Sequence, residues 1–594
     1  MENEEESPFR IISTVRALNS ALRDKLRDDT ETTRSCGGDR VPNEPAKLWF
    51  KESSAKNLRN RDFLSPNTVL TALYDDGQVP PAVLNNVLSA HGSGVLPLHG
   101  AEVVAEGLRV CVDHPAAFRR VLSRAAEYLR PSGAQREGCV LLNCPALHTR
   151  DTHITSHTLT LGQLRTVLIA DHLGVLLRRQ GYSVLYCPAL PEDGDIINFI
   201  KALGVDWPTV PVSWSNEGRE QKVLEDLRSS PYREMECEKE KTRRNGEETE
   251  EEEHRVEREV KINLKEVVQE QGLQGYDPSL GTCTVQRETI AHLAQLDRVA
   301  AAADSSVAMT VLHVASCQDE FRQQQTAMLW RASGATATQR LVVCGPVKTP
   351  GAQLSAAQYL QLRRSQMKEA SEMKYGEQVE GQTWDDIIRV MTSATVRFEL
   401  LSTVHTSPVT LEVQKEGGVS TKGPRGGVFV MYNCARLHTL FSSYERGVQE
   451  GIYPEIPESS ELDFSSLKEE GEWLLLFNYL IPYSELLDQS GRTLELEGGG
   501  VRVNLKTEQA CKFLVSLSKD FSSYYNRVHV LGVRHCACVW ICSWMEHIII
   551  YFFTDTHLTT DIISLRHFMA ERESLRYNLR SDKFIRMLKN VYIR

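Results

Sequence analysis

Fourteen cysteines are scattered from Cys36 to Cys542, and no two of them form a CxxC pair. The chain therefore lacks the ligand spacing of zinc knuckles and reads as free thiols of a reducing compartment. His535, Cys536, Cys538, Cys542 and His547 crowd together, but their spacing fits none of the usual zinc patterns, so no metal is expected. Positive charge is short: 68 Lys and Arg stand against 79 Asp and Glu, for a formal net charge of -11. That excludes a basic coat for indiscriminate nucleic-acid or DNA binding and leaves room for a local basic face. The opening MENEEESPFR has no apolar core of a secretory leader. The one long apolar run, Cys536 to Phe553, is interrupted by Glu546 and His547, so no membrane span is expected. No second glycine-rich strand-to-helix turn with a following acid offers itself to S-adenosylmethionine. The expected address is the cytoplasm, with the nucleus as an alternative.

What is present is a modular chain. At 594 residues with 41% hydrophobic residues it is long enough for about three or four domains. The sharpest boundary is Arg233 to Lys261, where charge displaces apolar residues; residues 233–262 read as a flexible linker. Before it, residues 1–135 read as a small α/β domain whose helical patterns include ALNSAL, LWFKESSAKNLRNRDFL and FRRVLSRAAEYL, broken by HGSGVLPLHG. Residues 136–232 run CVLLNCPAL, a helix from Leu161 to Gly181, then YSVLYCPAL: a βαβ unit. The same grammar returns in 263–425 with SSVAMTVLHVASC, EFRQQQTAMLWRAS and RLVVCGPV. The two stretches are expected to form one α/β doubly wound parallel sheet. From 426 to 533 the pattern turns all-α, a helical bundle in which Phe513, Leu514, Leu517, Phe521, Tyr524, Tyr525 and Val528 follow helical spacing. An atypical tail, 534–594, follows.

The stretch HTLTLGQLRTVLIADHLGVLLRRQGYSV has the form of a phosphate-binding start. Gly162 opens a helix whose unpaired N–H groups and dipole favour an anion. Two histidines flanking that glycine could hold ATP phosphates as charge develops. Thr160 and Gln163 stand there instead.

The segments NCPAL, LTLGQLRTVLIADHLGVLLRRQGYSV, LHVASCQDEFRQQQTAMLW, LVVCGPVK, ATVRFELLS and FVMYNCARLHTLFSSY resemble, in order, successive blocks of arginyl-tRNA synthetase with its helical DALR anticodon-binding domain. In that resemblance the His-x-Gly-His signature falls on Thr160, Leu161, Gly162 and Gln163, while Leu164, Arg165 and Asp171 match. The Lys-Met-Ser-Lys-Ser signature has no counterpart, leaving Lys348 as the basic residue of its region, and a further synthetase histidine falls on Glu320. IKALGVDWP, STKGPRGGVFVMYNCARLHTLF, LDFSSLKEEGEWLLLFN and CKFLVSLSKDFSSYYNRVHVLG are closer still to the DALR anticodon-binding domain-containing protein 3 family. The resemblance implies a degenerate class I synthetase Rossmann-like sheet followed by a DALR bundle, with no catalytic residues and no cofactor. It also implies a tRNA-binding factor that delivers arginine tRNAs to a tRNA 3-methylcytidine methyltransferase; residual aminoacyl-tRNA ligase activity with ATP is the alternative. Relatives continue after Val533 with a further amphipathic helix, from which this tail departs. Reading an anticodon loop takes stacking planes and cations. The bundle residues expected to supply them are Arg436, Tyr444, Lys512, Lys519, Tyr524, Tyr525, Asn526 and Arg527.

Overall fold

The computed structural model describes residues 7–28, 49–53, 57–58, 60–74, 77–131, 137–148, 155–211, 216–234, 260–303, 307–376, 380–413, 426–455, 464–491, 500–528 and 530–531. Most of the charged run and the whole of the 534–594 tail lie outside them.

In chain order the N-terminal elements are α1 (Ile11–Asp28), β1 (Lys51–Glu52), β2 (Phe63–Pro66), α2 (Asn67–Leu73), α3 (Pro81–Leu88), β3 (Leu98–Val104), β4 (Gly107–Val112), α4 (His114–Ser123) and α5 (Ala125–Tyr128). The core follows with β5 (Cys139–Asn143), α6 (Leu161–Arg179), β6 (Ser183–Cys187), α7 (Asp195–Ala202), α8 (Glu217–Arg228), α9 (Leu264–Glu270) and α10 (Arg287–Ala301). It continues with β7 (Met309–Ser316), α11 (Glu320–Ala332), β8 (Thr338–Cys344), α12 (Ala356–Tyr375) and α13 (Gln382–Leu401). Last come α14 (Gly426–Gln449), α15 (Glu470–Leu475), α16 (Ile481–Gly491) and α17 (Glu508–Arg527). Two compact units divide these. One takes in Met1–Ser132, Arg436–Asp488 and Ser516–Ile549, the other Gly133–Ala435, Gln489–Val515 and Ile550–Arg594, each in its described residues.

In the first unit β1, β2, β4 and β3 form an antiparallel sheet in that order. The expectation of a helix across LWFKESSAKNLRNRDFL fails: Lys51 pairs with Leu64 across a turn, because Phe50 and Phe63 are both buried. Alternate residues Leu108, Val110 and Val112 of β4 are buried, the period-two signature of a half-covered sheet. Against this domain lie residues of α15 and its continuation. Phe63 meets Phe477 edge to face at 5.6 Å, and Phe118 meets Trp473 at 5.7 Å. Asp62, 1% exposed, ties the layers: it accepts from Trp473 Nε1 at 2.6 Å and Val112 N at 2.7 Å, with His114 Nε2 at 3.2 Å. The His114 ring stacks on Trp473 at 3.8 Å. SSLKEEGEWLLLFNYLIPYSELL is not one even helix. A π turn spans Leu476–Leu480 between α15 and α16, just before Pro482, which has no N–H to continue the ladder.

The second unit is built on a parallel sheet, order β8-β7-β5-β6. Both stretches flanking the charged run contribute strands, as the doubly wound reading requires. Leu141, Val311, Met328, Trp330 and Ile262 lie in one continuous core. The expected linker is shorter than 233–262. Arg233 bridges antiparallel to Ile262, Glu234 N bonds Lys261 O, and Asn263 N bonds Tyr232 O. Ile262 is fully buried, so the two ends of the inserted run are clamped side by side. VRVNLKT, Val501 to Thr507, alternates buried and exposed residues strictly, and it adds an extended edge beside β8: Leu341 N to Val501 O and Val503 N to Leu341 O, both 2.8 Å.

Candidate functional site

The strand order reverses between β5 and β7, since β5 leads through α6 to β6 on one side while β7 leads through α11 to β8 on the other. In doubly wound sheets a ligand binds in the crevice beyond the strand C-termini at such a point. A pocket lies there, lined by Pro145 after β5, Asp319, Arg322, Gln323 and Thr326 after β7, and Glu288, Thr289 and His292 of α10, together with His148. Its volume is ≈ 40 Å³.

Behind it is a closed polar network. Asn143 Oδ1 accepts from His148 Nε2 at 2.8 Å and lies 3.3 Å from His292 Nε2, while Asn143 Nδ2 and Gln323 Nε2 both reach His313 Nδ1 at 2.9 Å. His313 Nε2 pairs with Gln339 Oε1 at 2.9 Å. Burial holds the imidazoles neutral, His148 down to about 3 and His313 to about 4, with His292 lowered as well. These groups satisfy one another.

The start of α6 is capped by its own side chains. Thr160 caps the helix, its Oγ1 accepting from Gln163 N at 3.2 Å, and Gln163 Oε1 accepts from Thr160 N at 2.9 Å. This reciprocal capping box uses side chains for two of the N–H groups, those of Thr160 and Gln163, that a phosphate would otherwise take. Gly162 has no tight neighbour; a Cβ there would meet nothing nearer than Thr160 Oγ1 at 3.9 Å. Glu320 Oε1 accepts from Arg502 Nε at 2.6 Å, and Lys348 is exposed on a short strand. Arg165 and Asp171 face inward. Arg165 is fully buried and donates to the carbonyls of Leu400, Gly345, Ser407, Thr403 and Val404 at 2.7–3.2 Å, and Asp171 accepts from Arg397 Nη2 at 2.7 Å. Both hold α13 and its following loop to α6.

In the bundle three of the expected RNA-contacting side chains prove to be interior, which corrects that expectation. Tyr524 is 0% exposed and its hydroxyl donates to Glu472 Oε1 at 3.3 Å; the apolar stripe that makes α17 amphipathic carries it inward. Tyr444 is buried and donates to Pro454 O at 2.6 Å. Arg436, 2% exposed, donates to Ser522 Oγ at 3.2 Å and places its guanidinium 4.6 Å over the Tyr525 ring, tying α14 to α17. Tyr525 is half-buried under it. Lys519, Asn526 and Arg527 are exposed, and with Ser516 and Ser523 they fall at three- and four-residue steps, one face of the helix. The acid of this stretch, Asp520, is engaged by the Tyr479 hydroxyl at 2.5 Å. Lys512, in the other unit, is exposed and 3.8 Å from Glu508. The outward face of α17 is thus polar and cationic.

The chain matches the domain family "DALR, N-terminal domain" over residues 9–128 and "DALR anticodon binding domain" over residues 430–536. A Danio rerio protein, DALR anticodon-binding domain-containing protein 3, is 69% identical over 529 residues, 89% of this chain and 93% of its own length. The chain belongs to the DALR anticodon-binding domain-containing protein 3 family. The Mus musculus member is 41% identical, spanning 82% of this chain and 88% of its own. Among solved structures the fold is similar to Thermus thermophilus arginyl-tRNA synthetase, with a TM-score of 0.51 at 14% identity over 91% of this chain and 98% of that one. The family's DALR domain is therefore the unit that carries the cationic face of α17, and its synthetase-like sheet carries the capped α6. Among the described residues no helix is long and apolar enough to cross a membrane, and no cluster of His, Cys, Asp and Glu could hold a metal ion. The tail with its histidines and cysteines lies outside those residues.

Proposed function

We propose that this family member is a non-catalytic tRNA-binding factor that recognises arginine tRNAs through its DALR domain and presents them to a tRNA 3-methylcytidine methyltransferase. The observation that carries the non-catalytic part is the Thr160–Gln163 capping box at the position where the synthetase resemblance puts two histidines. The DALR anticodon-binding match and the exposed Lys519, Asn526 and Arg527 support tRNA binding, with cations on the backbone and the half-buried Tyr525 at the edge of the same surface.

The test has two arms. Arginine-dependent ATP–pyrophosphate exchange with tRNA present is expected to be absent; exchange would make the protein a ligase. Methylation of purified arginine tRNA by the methyltransferase is expected to rise when this protein is added. Equal affinity for arginine and unrelated tRNAs at one stated salt concentration would refute the selective part.

A further inference from the structure

The end of α14 carries a feature that RNA binding leaves unexplained. The chain turns back at Gly451, φ 72°, with Ile452 N and Tyr453 N both donating to the Gly447 carbonyl at 2.7 and 3.0 Å. Tyr453 lies on Gly447 so closely that any Cβ there would collide with its ring. Its other neighbour is Tyr444, with ring centroids 5.6 Å apart and planes at 15°, and Tyr444 is itself anchored to Pro454 O. This packing leaves Ile452 64% exposed at the tip of a braced hook. Glu445, Glu450 and Glu455 are exposed around it, against Arg446.

We propose that this hook is a docking surface for a protein with a basic surface, Ile452 entering an apolar socket while Glu445, Glu450 and Glu455 meet lysines or arginines. A braced hydrophobe loses little further freedom on binding, which favours affinity, and acidic groups at the rim steer a cationic partner. Three carboxylates against one arginine repel a phosphate backbone, so RNA is the poorer occupant. An enzyme that acts on tRNA gathers lysines and arginines around its substrate, and those at the margin of that surface can meet these acids while the tRNA is bound. The inference rests on the proposed function in taking the methyltransferase as that enzyme.

The experiment uses the full chain and the purified 3-methylcytidine methyltransferase, with binding followed at two salt concentrations. Ile452→Asp is expected to weaken the complex about tenfold or more. Glu450→Lys with Glu455→Lys is expected to slow association and flatten its salt dependence. Both variants should keep wild-type melting temperature and tRNA affinity. Unchanged enzyme binding in both variants overturns the hook and leaves the proposed function standing. Weakened tRNA binding with intact enzyme binding assigns the hook to RNA and overturns it too. No complex with the wild-type protein overturns the methyltransferase reading, and this one with it.

Discussion

Replacing Arg165 by methionine is expected to destabilise the synthetase-like core by about 4 kcal/mol. The guanidinium is fully buried and its partners are five main-chain carbonyls drawn from Gly345 and from Leu400 to Ser407. Hydrogen bonds from a charged donor are worth about 1.5–3 kcal/mol each. Simple addition overshoots, because removing the cation recovers its desolvation penalty of several kcal/mol and water can reach some of the freed carbonyls. Losing one side of such a buried polar arrangement typically costs about 3–5 kcal/mol. Arg165→Lys should cost nearly as much, since an ammonium has three donors on a point and cannot span a fork of carbonyls. Urea unfolding should show the midpoint shift at unchanged slope for the core transition, and amide exchange in residues 400–407 should speed up in both variants. A methionine variant within about 1 kcal/mol of wild type would refute the staple. So would a lysine variant of wild-type stability, which would point to a need for positive charge alone.

Lys519→Ala and Arg527→Ala should each weaken tRNA binding and each reduce the slope of log affinity against log salt by about 1, measured by titration at several salt concentrations; an unchanged slope removes that residue from the phosphate contact. Tyr524→Phe should lose about 1 kcal/mol of stability through the missing bond to Glu472 and leave tRNA affinity alone, whereas a stacking role would leave both alone. Gly174→Ala forces a Cβ into the Tyr186 hydroxyl and should cost about 1–3 kcal/mol in thermal unfolding; Tyr186→Phe in the same chain should restore part of it, and no restoration would mean the collision lies elsewhere. Burial lowers His148 to about 3 and His172 and His313 to about 4 from an ordinary 6.5. The unfolded state therefore binds more protons in that window, and the stability these groups contribute is present above pH 6.5 and lost as pH falls toward 4 and 3. Melting temperature should drop between pH 7.5 and pH 5, and His313→Gln should make that drop shallower; an equally steep drop in the variant would exclude His313 as a source.

Much of the architecture was legible because periodicity reports burial directly. CVLLN and MTVLHVAS are mostly apolar runs without polar alternation and became central parallel strands, while the three- and four-residue stripe of α17 became its inner face. The first domain was less legible: LWFKESSAKNLRNRDFL has helix-forming residues, but the neighbouring β4 claims Phe63 for a sheet. VRVNLKT carried a clean alternating pattern, yet its partner Leu341 is 160 residues away from Val501 and no local signal names it.

The candidate site divides in the same way. In the sequence resemblance alone Thr160 and Gln163 stand where the synthetase signature has histidines, and the exposure of Lys519 and Asn526 follows from their position opposite the stripe. That Tyr524 bonds Glu472, that Tyr444 anchors a hook, and that Arg436 lies over Tyr525 could not be read so. Sequence spacing says which side of a helix a residue occupies. Which neighbour covers that side is decided when distant segments pack, because burial and hydrogen bonding belong to the assembled surface and not to the helix that presents it.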